Sequence, residues 1–296
     1  MVIVPINCQE NIRFGILLMF AYSLLALITD SFAKRLVLEV TINQVVWARF
    51  FFHTIALIIC FGPIKFFQLS RTRNVKLQVV RSLLMIATAF LFFSGIGVID
   101  LATAHSIFFL APILVTVLSI PILGERIGIR RLFGVCSGFI GALLIIRPGY
   151  ENFSAESFYF VGAAITAALY QLATRRLGHT DHAHTTLYYT AALGTIISSL
   201  VVWLDWQPVQ LMSWGLMIAL GTSAALGHFF LIKAFQMAPA SALMPFTYSS
   251  LIWALILGYS IFNELPDQQT FFGAAIIIGS GLYIYIRERA INLGRG

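Results

Sequence analysis

Residues 12–33 read IRFGILLMFAYSLLALITDSFA, with no charge between Arg13 and Asp30. A run of that length matches the ~20 apolar residues that carry an α-helix across a bilayer. It is longer than a secretory leader core, and it is followed by Lys34 and Arg35 with no small-residue cleavage pattern, so it is expected to stay as a membrane helix. Working outward, similar runs recur near Asn43–Phe61, Gln78–Gly97, Ala102–Leu123, Leu132–Ile146, Ser157–Thr174, Thr186–Leu204, Leu211–Ile232, Ala240–Phe262 and Thr270–Ile286. The expected fold is therefore an all-α integral membrane protein of ten transmembrane helices.

Composition excludes the soluble alternatives. Hydrophobic residues make up 59% of the 296 and charged residues 10%, against roughly 45–50% and 25% in soluble domains. That leaves too few charges to build a wetted surface. The net charge of +7 invites a nucleic-acid reading, but the positive residues sit in short connectors and form no basic domain. Cys8, Cys60 and Cys136 form no CxxC pair, so neither a disulfide framework nor a zinc site is expected.

Charge placement orients the chain. With both termini cytoplasmic, fifteen of the 19 Lys and Arg fall inside, among them Arg71, Arg73, Lys76, Arg81, Arg175 and Arg176. Three (Lys34, Arg35 and Arg147) fall outside, and Arg49 lies within a span. This is the positive-inside pattern of a multi-pass membrane protein. Trp203, Trp206 and Trp214 then flank an outer loop, as an interfacial aromatic belt should.

The chain also repeats itself. A shift of 139 residues aligns Glu125 with Glu264, Phe133 with Phe272, Gly134 with Gly273, Leu143 with Leu282 and Ile145 with Ile284. Halves 1–148 and 149–296 would then hold five spans each. Two odd-numbered halves in tandem insert with opposite orientation, giving two inverted five-helix repeats. Leu, Ile, Phe and Gly recur in any apolar helix, but an acid at the same junction of both halves argues for true repetition.

Each half closes with a short acidic turn and a glycine-bearing helix. The first has Gly124-Glu125-Arg126, Phe133-Gly134 and Gly138-Phe139-Ile140-Gly141; the second has Asn263-Glu264-Leu265-Pro266, Phe272-Gly273 and Gly279-Ser280-Gly281-Leu282. In these features, and over nearly its whole length, the chain resembles the EamA-type branch of the drug/metabolite transporter superfamily. The resemblance implies alternating access around a central cavity lined by spans one to four and six to nine, with five and ten peripheral. The stretch Ile261-Phe262-Asn263-Glu264-Leu265-Pro266-Asp267, and Asp30 followed by Lys34, is similar to S-adenosylmethionine importers of that superfamily, although the shared fold can also use these residues.

Ionisable groups inside a membrane each need a reason. Asp30 near the end of span one and Arg49 inside span two are expected at similar depth, either as a clamp for a zwitterionic solute or as a structural ion pair, with Lys34 a second partner for Asp30. His53 shares the helical face of Arg49; with His105 and His228 it offers either a proton carrier or neutral interhelical hydrogen bonds. Ser106 and Phe109 on span four, and Tyr248 and Trp253 on span nine, would line a cavity that Pro112 and Pro245 open by breaking their helices. Ordinary packing is the other reading of these residues. Tyr170, Gln171 and Tyr189 complete the candidate substrate-binding set.

Other signals are set aside. His179, His182 and His184 with Asp181 lie in one short loop without ligand partners elsewhere, so no metal or cofactor is expected. Glu125 and Glu264 fall on opposite faces of the membrane and are read as organisers of helix ends. No P-loop is present, and no converging nucleophile–base or HExxH set, so the chain is not expected to be an enzyme. A channel is disfavoured by the inverted repeats. The expected partners are a small-molecule substrate and the lipid bilayer, with proton coupling or solute exchange as energy sources.

Overall fold

The structure, a computed structural model, describes residues 11–97, 101–125, 128–146 and 156–250 with a few isolated positions beyond them. Among the described residues the chain is helical throughout: α1 (Ile12–Leu36), α2 (Ile42–Phe61), α3 (Pro63–Gln68), α4 (Val75–Ile96), α5 (Leu101–Phe108), α6 (Leu110–Leu123), α7 (Ile129–Ile146), α8 (Ser157–Leu177), α9 (Ala183–Val201), α10 (Leu211–Met237) and α11 (Ala240–Thr247). Six of these (α1, α2, α4, α8, α9 with the turn after it, and α10) are long and apolar enough to cross a membrane. About half of the expected ninth span and most of the tenth lie outside the described residues.

Local chemistry sets the helix ends. Asn11 caps α1 by accepting the Phe14 N–H at 3.2 Å. Thr41 and Gln44 form a reciprocal capping box that starts α2. Gly62, at φ 76°, ends that helix where an L side chain would be strained, and Pro63 opens α3 at a position that needs no N–H. The expected fourth span is broken at Phe109 into α5 and α6. Pro112 has no N–H for the Phe108 carbonyl four residues back, which is why the helix yields there.

The helices pack as a bundle in which α1 runs along α10, α4 along α8, and α2 between α9 and α10. At one end Gly15 of α1 meets Ala234 and Ala238 at the close of α10. The same end holds Asp181, whose carboxylate accepts from Thr72 at 2.6 Å and from Gln78 at 2.7 Å. At the other end Asp205 accepts from Asn43 at 3.0 Å, near a cluster of Trp47, Trp203, Trp206 and Trp214. The exterior is as apolar as the interior: Leu211 is 89% exposed and Ile59 78%, while Arg81 is 0% exposed. Leucine faces lipid, and charge faces the bundle interior.

Arg81 corrects the charge map. It stands inside α4 and is wholly buried, so it belongs to the protein interior and not to a cytoplasmic connector.

Glycine allows the closest helix crossing. A Cβ on Gly221 would run into the Phe52 side chain and lie 2.9 Å from the Ala48 carbonyl oxygen of α2. Backbone cannot give way as a side-chain tip can, so Gly221→Ala is expected to destabilise by about 1–3 kcal/mol. Gly215→Ala on the same helix meets nothing within 4 Å and should be neutral or mildly stabilising. Detergent melting of the two variants side by side checks this, and equal melting would show that α2 and α10 do not approach so closely.

Candidate functional site

A cavity of about 110 Å³ opens among the helices. Its polar lining comes from Tyr22 and Asp30 of α1, Arg49 of α2, His105 of α5, Tyr170 and Gln171 of α8, and His228 of α10, while Phe92, Phe93, Phe108 and Phe109 supply aromatic walls. A buried polar set on five helices inside a mostly apolar wall is the arrangement of a small-molecule site.

Arg49 projects inward with its guanidinium 5.6 Å above the Phe93 ring. Its Nη2 donates to His228 Nε2 at 3.0 Å, and its buried Nε has no partner. An arginine only donates, so His228 accepts at Nε2 and carries its proton on Nδ1 as a neutral imidazole. That Nδ1 lies 2.9 Å from the Tyr170 hydroxyl and donates to it. Tyr170 also accepts from Arg81 Nη2 at 2.8 Å. With both lone pairs taken, its own O–H is left to donate.

Asp30 and Arg49 share the cavity without pairing, since no ion pair within 4 Å joins them, nor Asp30 to Lys34. The acid instead faces His105, Oδ2 to Nε2 at 3.4 Å, too poorly aligned for a hydrogen bond. Gln171 Oε1 is likewise buried without a partner. Three side chains of the cavity thus hold polar atoms that nothing among the described residues satisfies. Such atoms are uncommon in folded proteins and each asks for an explanation; a polar ligand supplies one.

Of the residues proposed from sequence, Asp30, Arg49, His105, Phe109, Tyr170, Gln171 and His228 come together here. His53 lies behind the wall, its ring parallel to that of His228 with centroids 6.2 Å apart. Tyr248 is buried beneath Phe109, the ring centroids 5.1 Å apart, and packs against Gly138, where any Cβ would collide with it. Trp253 is half-buried, its Nε1 unpartnered, and does not line the cavity. Tyr189 sits elsewhere, donating to the Ser70 carbonyl at 2.9 Å near the Asp181 end. The side chain of Ser106 lies outside the described residues.

Sequence reasoning missed Arg81. Its guanidinium donates to Thr174 at 2.7 Å, to the Thr186 carbonyl at 3.3 Å, to Tyr170 and to Thr190. It also lies 4.5 Å from the Tyr170 ring centroid. No carboxylate among the described residues is within 4 Å of it. A signal existed: Gln78, Arg81 and Thr88, three and seven residues apart, put polar groups on one face of an apolar helix. Glu125 is used at a helix end. It accepts the Ala240 and Ser241 N–H groups at 2.9 and 3.1 Å, capping α11. Glu264 lies outside the described residues.

Comparison with known proteins agrees with this architecture. The model of the EamA-like transporter family matches residues 13–147 and again 155–286. An S-adenosylmethionine uptake transporter of Rickettsia conorii (strain ATCC VR-613 / Malish 7) is 31% identical over 267 residues, covering 89% of this chain and 90% of that protein. A riboflavin transporter of Vibrio cholerae is 33% identical over 175 residues, 59% of each chain. A pseudopaline exporter of Pseudomonas aeruginosa is 28% identical over 208 residues, 70% of this chain and 73% of the other. One solved crystal structure superposes with a TM-score of 0.78 at 18% identity, covering 94% of this chain and 98% of its own, which shows the shared fold. With a family match across most of its length and apolar helices of membrane-spanning size, this multi-pass membrane protein belongs to the EamA-like transporter family.

Proposed function

We propose that the protein is a secondary transporter of a zwitterionic metabolite, moved across the bacterial inner membrane by alternating access, with S-adenosylmethionine as the first candidate. The observation that carries this is that Arg49 and Asp30 open on one aromatic-walled cavity without an ion pair between them. A guanidinium with an unpartnered donor suits a carboxylate. A carboxylate framed by Tyr22, Phe92 and Phe109 suits an ammonium or sulfonium, which aromatic faces also attract. S-adenosylmethionine carries all three groups, and the Rickettsia relative is named for its uptake. A coupling proton, if transport uses one, belongs on Asp30 and His105, because the free nitrogen of His228 is already occupied by Arg49.

Alternating access rests on ten spans in two inverted halves, and the packing supports that reading. Phe109 and Tyr248 are 139 residues apart, touch each other, and each stands where its helix breaks. That is the shift that aligns Glu125 with Glu264. The same shift carries α1 on α10 into α8 on α4. We place the Asp181 end in the cytoplasm, since Arg71, Arg73, Arg175 and Arg176 cluster there and the positive-inside excess survives the withdrawal of Arg81 into the interior.

Charge discrimination tests the substrate. S-adenosylmethionine at about a hundred times its Kd should stabilise the purified protein by roughly 2.7 kcal/mol. S-adenosylhomocysteine, which lacks the sulfonium charge, should bind at least tenfold more weakly, and Asp30→Asn should erase that preference. Equal affinity for the two compounds in the wild type would dismiss the onium reading of Asp30.

A further inference from the structure

We infer that the buried thread Arg49–His228–Tyr170–Arg81 couples occupation of the cavity to closure of the bundle at its Asp181 end, with His228 and Tyr170 acting as positioning residues. The inference rests on Arg49 meeting the acidic group of the substrate, and it adds what that contact does elsewhere.

The thread is continuous and its direction is fixed. Arg49 donates to His228, His228 donates to Tyr170, and Arg81 donates to Tyr170 from the other side, over contacts of 3.0, 2.9 and 2.8 Å. Four helices are joined in this way: α2, α10, α8 and α4. Its far terminus is the knot that holds the Asp181 end. There Arg81 binds Thr174 of α8 together with Thr186 and Thr190 of α9. One turn nearer the end, Gln78 ties α4 to Asp181, and Gln236 of α10 donates to the Asp181 carbonyl at 3.1 Å. Arg175 secures the same end by donating to the Phe235 carbonyl at 2.6 Å. For the cavity to open towards this end, these bonds must loosen.

The near terminus of the thread is where the substrate arrives. A hydrogen bond from a guanidinium to a carboxylate is about twice as strong as one to a neutral acceptor. An arriving carboxylate therefore competes directly with His228 Nε2 for the Arg49 donor. Without that donor, Nε2 no longer fixes the His228 tautomer, and the Tyr170 hydroxyl at Nδ1 is the one hydrogen bond of the ring among the described residues. His53 supplies the alternative arrangement that a two-state element needs. Its ring lies parallel to His228 at 6.2 Å, and its buried Nε2 has no partner. Once His228 turns, Tyr170 loses a donor, and the hydroxyl and ring that hold Arg81 are no longer anchored. No carboxylate among the described residues takes over that guanidinium, so without Tyr170 the knot rests on neutral acceptors, Thr174, Thr190 and the Thr186 carbonyl, and is weakened.

Hydrogen exchange reads the coupling with or without a substrate. In ligand-free protein Arg49→Ala and Tyr170→Phe should each speed amide exchange at least threefold in residues 170–177 and 183–190, leaving residues 202–210 at the Asp205 end unchanged. The Arg49 hydrogen bond and ring contact go to His228 and Phe93, so acceleration by Arg49→Ala at residues 172–177 and 183–190 reports transmission along the thread. With S-adenosylmethionine bound, the wild type should show the same local acceleration. Tyr170→Phe should lose at least tenfold in transport rate at saturating substrate, a loss that a change in Kd does not produce. His228→Gln, whose amide accepts and donates from neighbouring atoms as the imidazole does, should retain most of that rate, whereas His228→Leu should not. Unchanged exchange in ligand-free Arg49→Ala, or wild-type transport by Tyr170→Phe, would overturn the coupling. Failure of the wild type to bind S-adenosylmethionine would instead count against the proposed substrate, because the ligand-free comparison does not depend on it.

Discussion

Arg49→Ala should abolish transport, lowering it by about a hundredfold or more while the protein still reaches the membrane. The donor that would meet a substrate carboxylate is held in a buried setting against Phe93, where a charge-assisted hydrogen bond contributes roughly 1.5–3 kcal/mol. Losing about 3 kcal/mol is close to a hundredfold in affinity. Arg49→Lys should recover little, since an ammonium lacks the planar fork that meets both oxygens of a carboxylate with two parallel N–H groups. Removing the charge also relieves a desolvated cation that has no acidic partner within 4 Å among the described residues, so the melting temperature should shift far less than activity does. Uptake into proteoliposomes, with membrane insertion checked on the same preparation, is the measurement. Wild-type kinetics in Arg49→Ala would take this residue out of the substrate site.

The largest effect on stability is expected at Arg81. Arg81→Ala removes donors from Thr174, Thr190, Tyr170 and the Thr186 carbonyl together. Thr174 and Thr190 still donate to carbonyls one turn back, but their acceptor lone pairs would be left buried and unsatisfied. The void left by the long side chain adds to the loss. Dismantling a buried charged network of this kind costs about 3–5 kcal/mol, or about 10 °C in melting temperature. Arg81→Lys should fall nearly as far, because three donors on a flexible stem cannot reproduce bonds made along both edges of a planar group. Melting within two or three degrees of wild type, as in a surface control such as Arg73→Ala, would show that the four contacts contribute little.

Much of this molecule was legible in the order of its residues. Spans such as 12–33 and 211–232 declare themselves because lipid demands long apolar helices that satisfy their own backbone, and that demand is local. The break at Phe109 followed from Pro112. Asp30, Arg49, His105 and His228 stood out as site candidates because a polar group at membrane depth is conspicuous whatever surrounds it. Tyr189 was equally conspicuous, yet it serves the Asp181 end by binding the Ser70 carbonyl. Nothing in its own neighbourhood distinguishes a hydroxyl aimed at a cavity from one aimed at a loop.

Sequence alone determined the class of the protein, its helices and the shortlist of intramembrane groups, because each depends on the properties of a residue and its near neighbours along the chain. The tertiary structure decided which of those groups meet. Arg49 and His228 are 179 residues apart, and Arg81 and Tyr170 are 89 apart. Whether Asp30 pairs with Arg49 or faces His105, and whether Arg81 is a loop charge or the knot of the bundle, turn on how α1, α2, α4, α8 and α10 are rotated against one another. Those rotations come from close packing of many side chains at once, with Gly221 admitting α2 at one crossing, and no single stretch of the chain encodes them.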